Sequence, residues 1–273
     1  MRKLKTIATP ECEKGLRDMV KSAQVQGWTD PVYVYTCAKG WNPIIEGVIM
    51  RYLDAWWPAD SEIATCRNAP ALLKPDLWID GDDFGDVVMY VDAADILFLS
   101  PPAKLFDLFE ASGAAIGARP FRIDRRVGHD HPVIRGLLGS DLTSERGDYV
   151  NSGVIVSKIC PQVVWTMKTW KYLLGYTHFA GPWKIGNENN KLVGDQEAFN
   201  VVRRILRQMD ESLLCDFPAS WNYRGATRVH RNLQERNGKV YAPDEGRIHL
   251  VHCSGLGQMP EWITKLALTE KKE

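Results

Sequence analysis

The sequence predicts an α/β fold with a mainly parallel central sheet flanked by helices. Three features point there. Short apolar, β-branched runs recur along the chain, as in strands buried on both faces. Segments with apolar residues at helical spacing lie between them, the alternation of right-handed βαβ units. One run, Val87 to Val91, ends on Asp92, and a second, Ile96 to Leu99, begins just after Asp95. Ligands of open α/β sheets bind at the carboxyl ends of strands, so these acids mark the candidate site.

In chain order, Leu4 to Ala8 is the first expected strand. Thr9, Pro10 and Glu11 then open a helix, with threonine at the cap, proline at the first helical position and an acid in the first turn. Leu16, Met19, Val20 and Ala23 repeat at helical spacing, and Gly27 ends the helix. Val32 to Thr36 is a β-branched and aromatic second strand. Asn42-Pro43 is expected to cap a second helix with Ile44, Ile45, Val48, Ile49, Tyr52 and Leu53 inward. A weaker strand is expected near Ile63 to Thr65, and a helix over Ala69 to Ile79. Asp82, Asp83 and Asp86 surround Gly81 and Gly85, which reads as a solvated turn rather than a metal loop. The two apolar runs read as buried parallel strands, and Pro101-Pro102 close the second, since proline cannot continue a central ladder.

Lys104 to Ala111 reads as a short helix and Ala114 to Ala118 as a small-residue strand. Arg119 to Pro132 has no period and reads as a loop. Its arginines Arg119, Arg122, Arg125 and Arg126 could hold a diphosphate or an acidic acceptor, with a solvated face favoured. His129, Asp130 and His131 read as surface residues. Asp148 to Val156 is a strand entered from a polar turn. Within it Asn151 offers both a donor and an acceptor, which suits a sugar hydroxyl, and Gly153 permits close backbone approach. Val163 to Leu174 is an aromatic-rich helix, and Phe179 to Asn190 a loop of the kind that serves as a lid. Asp195 sits at the amino end of a helix running through Phe199, Val202 and Leu206. Ile248 to Gly255 is a late strand and glycine turn; His249 and His252 face opposite ways on it, so at most one belongs to the site.

The totals bound the function class. The 273 residues are 45% hydrophobic and 25% charged, ordinary for a soluble globular protein and enough for one large domain or two small ones. Net charge is zero, which gives no overall reason to expect nucleic acid as a partner. Cys12, Cys37, Cys66, Cys160, Cys215 and Cys253 show no C-x-x-C and read as reduced thiols of a cytoplasmic protein. No signal peptide or transmembrane run is seen. Two acids on small spacers leave room for a divalent metal carrying a diphosphate. Spacing alone leaves equally open a plain strand end with one solvated and one helix-capping aspartate.

Together these pieces resemble a GT-A (Rossmann-like) nucleotide-sugar glycosyltransferase, most similar to glycosyltransferase family 8, the glycogenin and bacterial lipopolysaccharide galactosyltransferase group. Four short blocks in the family's order carry the resemblance across residues 1–262. Tyr90 to Leu97 resembles the Tyr-Leu-Asp-x-Asp strand, and Tyr149 to Val154 the Phe-Asn-Ser/Ala-Gly-Val block. Asp195 to Asn200 resembles the Asp-Gln-Asp/Glu-x-x-Asn block, and His252 to Gly255 the late His-Phe-x-Gly block.

The resemblance implies one GT-A domain over residues 1–273, with a nucleotide-binding half at 1–100, a donor-sugar and acceptor half at 101–262 and a tail at 263–273. It implies that Asp92, Asp95 and His252 hold Mn²⁺ or Mg²⁺, with Asp92 also at the ribose. An imidazole in the set suits Mn²⁺ better than Ca²⁺. It further implies that Thr6, Ala8 and Thr9 hold the nucleotide, and that Asn151, Asp195 and Gln196 contact the donor sugar, with Gln196 beside the reacting carbon. A UDP-sugar donor and retention of configuration are expected on the same ground. The acceptor stays open among a glycan, a lipid-linked glycan, a protein and a modified nucleic-acid base.

Two departures stand out. The family has one residue between its acids; here Ala93 and Ala94 intervene, so either the turn bulges to bring both acids onto the metal or Asp95 alone binds it. The family's diphosphate-binding lysine is also missing, with Gln258 near its place and Arg247 or the arginines of 122–126 as substitutes. These departures keep a catalytically weak nucleotide-sugar-binding module as the alternative. A nucleotidyltransferase ranks last, because Ala8-Thr9-Pro10 is no glycine-rich phosphate loop.

Overall fold

The structure is a computed structural model that describes residues 1–57, 60, 69–78, 80–120, 149–179, 195–224, 233–243, 245–253 and 259–270. Its strands, in chain order, are β1 (Arg2–Ile7), β2 (Val32–Thr36), β3 (Val48–Tyr52), β4 (Val87–Val91), β5 (Ile96–Phe98), β6 (Ile116–Pro120), β7 (Val150–Lys158), β8 (Leu214–Asp216), β9 (Tyr223–Arg224), β10 (Gln234–Arg236), β11 (Lys239–Ala242), β12 (Gly246–Arg247) and β13 (Leu250–His252). The helices are α1 (Glu13–Val25), α2 (Ala103–Ser112), α3 (Pro161–Phe179), α4 (Asp195–Met209) and α5 (Glu261–Leu268).

Among the described residues the central sheet has seven strands in the order β3-β2-β1-β4-β7-β6-β8. Neighbours run parallel except at β7, which is antiparallel to both β4 and β6. This is the mainly parallel α/β sheet that the sequence predicts. Both faces are covered, and β4 at the centre is apolar and buried along its whole length. On one face α1 sets Leu16, Met19, Val20 and Ala23 against Leu4, Val32, Val34, Met89 and Val91. On the other, a 3-10 helix, α3 and α4 bring Trp78, Trp170 and Phe199 against Tyr35, Val88 and Tyr90. Each fully buried ring or aliphatic side chain there contributes about 1.5–3 kcal/mol relative to exposure.

Several expectations need correction. The helix expected from Asn42 to Leu53 is absent; Val48–Tyr52 is β3, paired parallel to β2. Gly47 at φ 73° turns the chain sharply before it, and Ile44, expected inside, is 92% exposed. A β-branched run beside an open sheet edge has outweighed its helical spacing. The helix expected over Ala69 to Ile79 is present as a 3-10 helix, Ala69–Trp78, with Pro75, which lacks an N–H, inside it. Thr9 makes no side-chain cap bond, and a 3-10 turn, Pro10–Cys12, precedes α1. The acidic turn is solvated at Gly81, Asp83 and Gly85, but Asp82 and Asp86 are drawn into ion pairs. The Asp82 side chain is 1% exposed, with Lys3 Nζ at 2.8 Å and Lys5 Nζ at 2.6 Å, and Lys3 also reaches Asp86 at 2.6 Å. Alternate residues of β1 project both lysines toward that turn.

The last correction shapes the site. β5 is not a further parallel strand of the central sheet. It leaves that sheet and pairs antiparallel with β13, in a small sheet ordered β5-β13-β9. The expected strand near residues 63–65, the histidines at 129 and 131, the arginines of 122–126, the loop of 180–190 and Gln258 lie outside the described residues. The described cysteines Cys12, Cys37, Cys160, Cys215 and Cys253 are free thiols. No helix among the described residues is long and apolar enough to cross a membrane.

Candidate active site

The departure of β5 from the main sheet brings the two acids and a distant histidine together. Asp92 follows β4, and its N–H donates to Gly153 O across to β7 at 2.9 Å. Asp95 precedes β5, whose register sets Ile96 opposite His252, and the Cys253 N–H donates to Asp95 O at 2.8 Å. The Ala93-Ala94 turn between the acids lies against α1. A Cβ on Gly15 would stand 2.3 Å from Ala94 O, so only glycine lets the helix approach this closely. Ala93 is buried in the core beneath it.

As a result one ligand atom from each of Asp92, Asp95 and His252 lies within 4.8 Å of the others. His252 Nε2 is 3.6 Å from Asp92 Oδ2 and 3.5 Å from Asp95 Oδ1. The side chain is 1% exposed, and Nε2 has no hydrogen-bond partner. A buried polar atom left without a partner costs about 1–3 kcal/mol, and here it sits between two carboxylates. Two hard oxygens and one imidazole nitrogen are a donor set for a divalent cation such as Mn²⁺ or Mg²⁺. The residues present therefore fit the metal that the sequence motifs suggest. The two-alanine spacer still leaves both acids directed at the same point.

Lys74 balances the charge behind Asp92. Its Nζ lies 3.0 Å from Asp92 Oδ1 and 2.7 Å from Asp195 Oδ2, and it donates at 3.5 Å to Ser152 O. Burial alone would push this ammonium down, but Asp195 and then Asp92 push it up overall, so it stays charged. Tyr90 OH donates to the same Asp92 oxygen at 2.5 Å. Burial and the Asp92 charge push the phenol well up, so it remains a donor. Asp92 Oδ1 is thereby held from behind, while Oδ2 faces His252.

A hydrogen-bonded string runs on from the histidine. His252 Nδ1 is 3.0 Å from Asn222 Oδ1, and Asn222 Nδ2 donates to Asn151 Oδ1 at 3.1 Å. Asn151 Nδ2 donates to Gln196 Oε1 at 2.9 Å, and Gln196 Nε2 to Tyr149 OH at 2.9 Å. Asp195 begins α4, where the helix dipole favours a negative charge. It accepts from Ser152 Oγ at 2.7 Å, and its carbonyl accepts from Trp170 Nε1 at 2.9 Å. Asn151 of β7 and the adjacent Asp195 and Gln196 of α4, distant from it in sequence, thus line one wall beside the acids.

Continuing the β1–β4 register by two residues puts Ile7 beside Asp92, so Ala8 and Thr9 leave β1 at the edge that bears the acids. Thr6 is fully buried within β1, and its hydroxyl has no hydrogen-bond partner. Arg119, the one loop arginine among the described residues, donates to Asn222 O. His249 lies away from the triad, against Ser100 Oγ at 2.8 Å and stacked on Trp221. At most one of the two late histidines was expected at the site, and His252 is that one.

Sequence reasoning missed Lys74 and Asn222. Each had a signal: Lys74 is a lone cation in the apolar stretch Ala69–Trp78, and Asn222 a lone amide between Trp221 and Tyr223. Buried polar residues in such settings are there to pair with something.

No protein-family model matches the chain, and no curated protein matches it in sequence. Solved structures do match it in fold. The galactosyltransferase LgtC, crystallised with donor and acceptor sugar analogues, is 13% identical, with a TM-score of 0.59 over 98% of this chain and 95% of its own. Mouse xyloside xylosyltransferase 1, in its apo form, is 13% identical, with a TM-score of 0.58 over 95% of this chain and 100% of its own. The glycosyltransferase GlyE of Streptococcus pneumoniae is 14% identical, with a TM-score of 0.51 over 98% of this chain and 61% of its own. The chain has the fold of GT-A glycosyltransferases.

Proposed function

We propose that this protein is a metal-dependent glycosyltransferase that takes a sugar from a nucleoside-diphosphate sugar, UDP-linked by preference, and passes it to a hydroxyl acceptor. The convergence of Asp92, Asp95 and the partnerless His252 Nε2 carries this reading. The fold it shares with glycosyltransferases supports it. Asp92, Asp95 and His252 would hold Mn²⁺ or Mg²⁺. When bound, such an ion neutralises diphosphate charge as the sugar–oxygen bond breaks.

The protein's own groups do the rest. Ala8 and Thr9 would contact the nucleotide, and Asn151, Asp195 and Gln196 the donor sugar. Glycosyl transfer passes through an oxocarbenium-like state, and fixed negative or dipolar oxygens nearby favour it. Asp195 supplies a carboxylate and Gln196 a carbonyl that Asn151 Nδ2 and, at 3.4 Å, the Ser152 N–H orient. Lys74 lies between the Asp92 and Asp195 carboxylates, and its polar contacts are all to protein oxygens, which makes it a positioning group rather than a phosphate ligand. Retention of configuration, with a diphosphate oxygen receiving the acceptor proton, completes the proposal. The acceptor is a glycan, lipid-linked glycan, protein or modified base.

Incubating the protein with UDP-glucose, UDP-galactose and UDP-xylose, with and without Mn²⁺, tests this. Slow Mn²⁺-dependent release of UDP from one of them is the expected result. Nucleotide-sugar binding with no release would favour a catalytically weak binding module. No binding of any of them would refute both.

A further inference from the structure

We infer that Asn222 is a positioning residue that fixes His252 as the tautomer with its proton on Nδ1, and so ties the metal-facing nitrogen to the sugar-facing amides. The inference rests on the proposed metal site and adds the group that would make it a ligand.

The orientation of every amide in the string follows from one obligate donor. The Gly153 backbone N–H donates to Asn151 at 2.9 Å, so the atom it meets must be the carbonyl oxygen, Oδ1. That oxygen lies 3.1 Å from Asn222, which must therefore present its NH₂. The other end of the Asn222 amide, its oxygen, then faces His252 Nδ1 at 3.0 Å. An oxygen there can only accept, so Nδ1 carries the proton. A metal takes the neutral imidazole, and with its one proton on Nδ1 the lone pair is left on Nε2. In that tautomer the lone pair points between Asp92 Oδ2 and Asp95 Oδ1, open to a cation that all three atoms could share.

Asn222 is itself rigid. It is fully buried, its N–H donates to Ala219 O at 3.3 Å, and its carbonyl accepts from Arg119. The paired strands β9 and β13 run parallel just beyond it. With its other hand the same amide holds Asn151, whose NH₂ orients Gln196. One side chain thus sets both the metal-facing nitrogen and the amides beside the donor sugar. Groups that fix a metal-ligating histidine typically matter by about 10–100-fold in metal affinity.

The test uses the full chain with ¹⁵N-labelled histidine, the His252 signals being assigned by their loss in His252→Gln. In the metal-free wild type, the neutral ring of His252 carries its proton on Nδ1. Asn222→Asp keeps an acceptor at Nδ1, so the tautomer and Mn²⁺ affinity persist, while UDP-galactose binding weakens because Asn151 loses its donor. Asn222→Leu loses the tautomer and about 10–100-fold in Mn²⁺ affinity. A neutral ring with its proton on Nε2 in the wild type overturns the inference, as does Asn222→Leu with the tautomer and Mn²⁺ affinity intact. A wild type with the stated tautomer that takes up no Mn²⁺ overturns the metal site on which the inference rests.

Discussion

Gly153 faces His252 at a distance that no other residue allows: a Cβ there would stand 2.3 Å from His252 Cε1, 2.6 Å from Asp92 Oδ2 and 2.8 Å from Asn151 Oδ1. The strand β7 is pressed directly against the acid–histidine cluster. Gly153→Ala must therefore displace His252, Asp92 or Asn151. Overpacking of this kind costs about 1–3 kcal/mol. The expected outcome is a folded protein of reduced melting temperature with at least tenfold weaker Mn²⁺ binding, read by thermal unfolding and metal titration. Unaltered Mn²⁺ binding would mean that the cluster is not a metal site.

Lys74→Met should destabilise the metal-free protein, because Asp92 and Asp195 would lose the cation between them. Breaking a buried ion pair costs about 3–5 kcal/mol, and about 2–3 kcal/mol is expected here because the acids keep 28% and 18% of their exposure. Added Mn²⁺ should narrow the loss by compensating Asp92. The raised proton affinity of Lys74 means that its contribution is complete below its ordinary value of 10.5 and fades only above it, so neutral pH leaves it intact. Urea unfolding with and without Mn²⁺ measures both effects.

Acid should weaken the far end of the sheet first. Burial alone would push Asp86 up, but hydrogen bonds led by Lys3 pull it down to about 2 from an ordinary 3.8. A depressed carboxylate contributes stability above its ordinary value and loses it as the pH falls through the depressed one. The loss should therefore develop between pH 3.8 and about 2, at the order of 1 kcal/mol after solvent screening. Asp86→Asn should flatten that window in urea unfolding measured against pH. An unchanged acid slope would show that the Lys3 contact adds nothing.

Much of the fold is legible in the sequence because burial on both faces leaves a simple trace. β2 and β4 are continuous apolar, aromatic or β-branched runs, β7 holds the run Val154 to Val156, and α1 and α4 keep helical spacing. β3 was hidden because Ile44, Ile45, Val48 and Ile49 fit either period, and only pairing with β2 decides between them. The antiparallel course of β5 was hidden for a similar reason: a three-residue apolar run carries no direction. In the site, Asp92, Asp95 and His252 stand out by residue type and motif. Lys74 and Asn222 do not, because their meaning comes from partners 121 and 30 residues away. The packing of Gly15 on Ala94 and of Gly153 on His252 is likewise written in what those residues lack.

Direct Mn²⁺ titration of the wild type and of Asp95→Asn, followed by electron paramagnetic resonance with UDP present, tests the central claim most directly. The substitution keeps size and hydrogen bonding but removes one charge from the cluster of Asp92, Asp95 and His252. The expected result is one bound Mn²⁺ in the wild type and at least tenfold weaker binding in Asp95→Asn, at an unchanged melting temperature. Equal Mn²⁺ binding by the two proteins would contradict it.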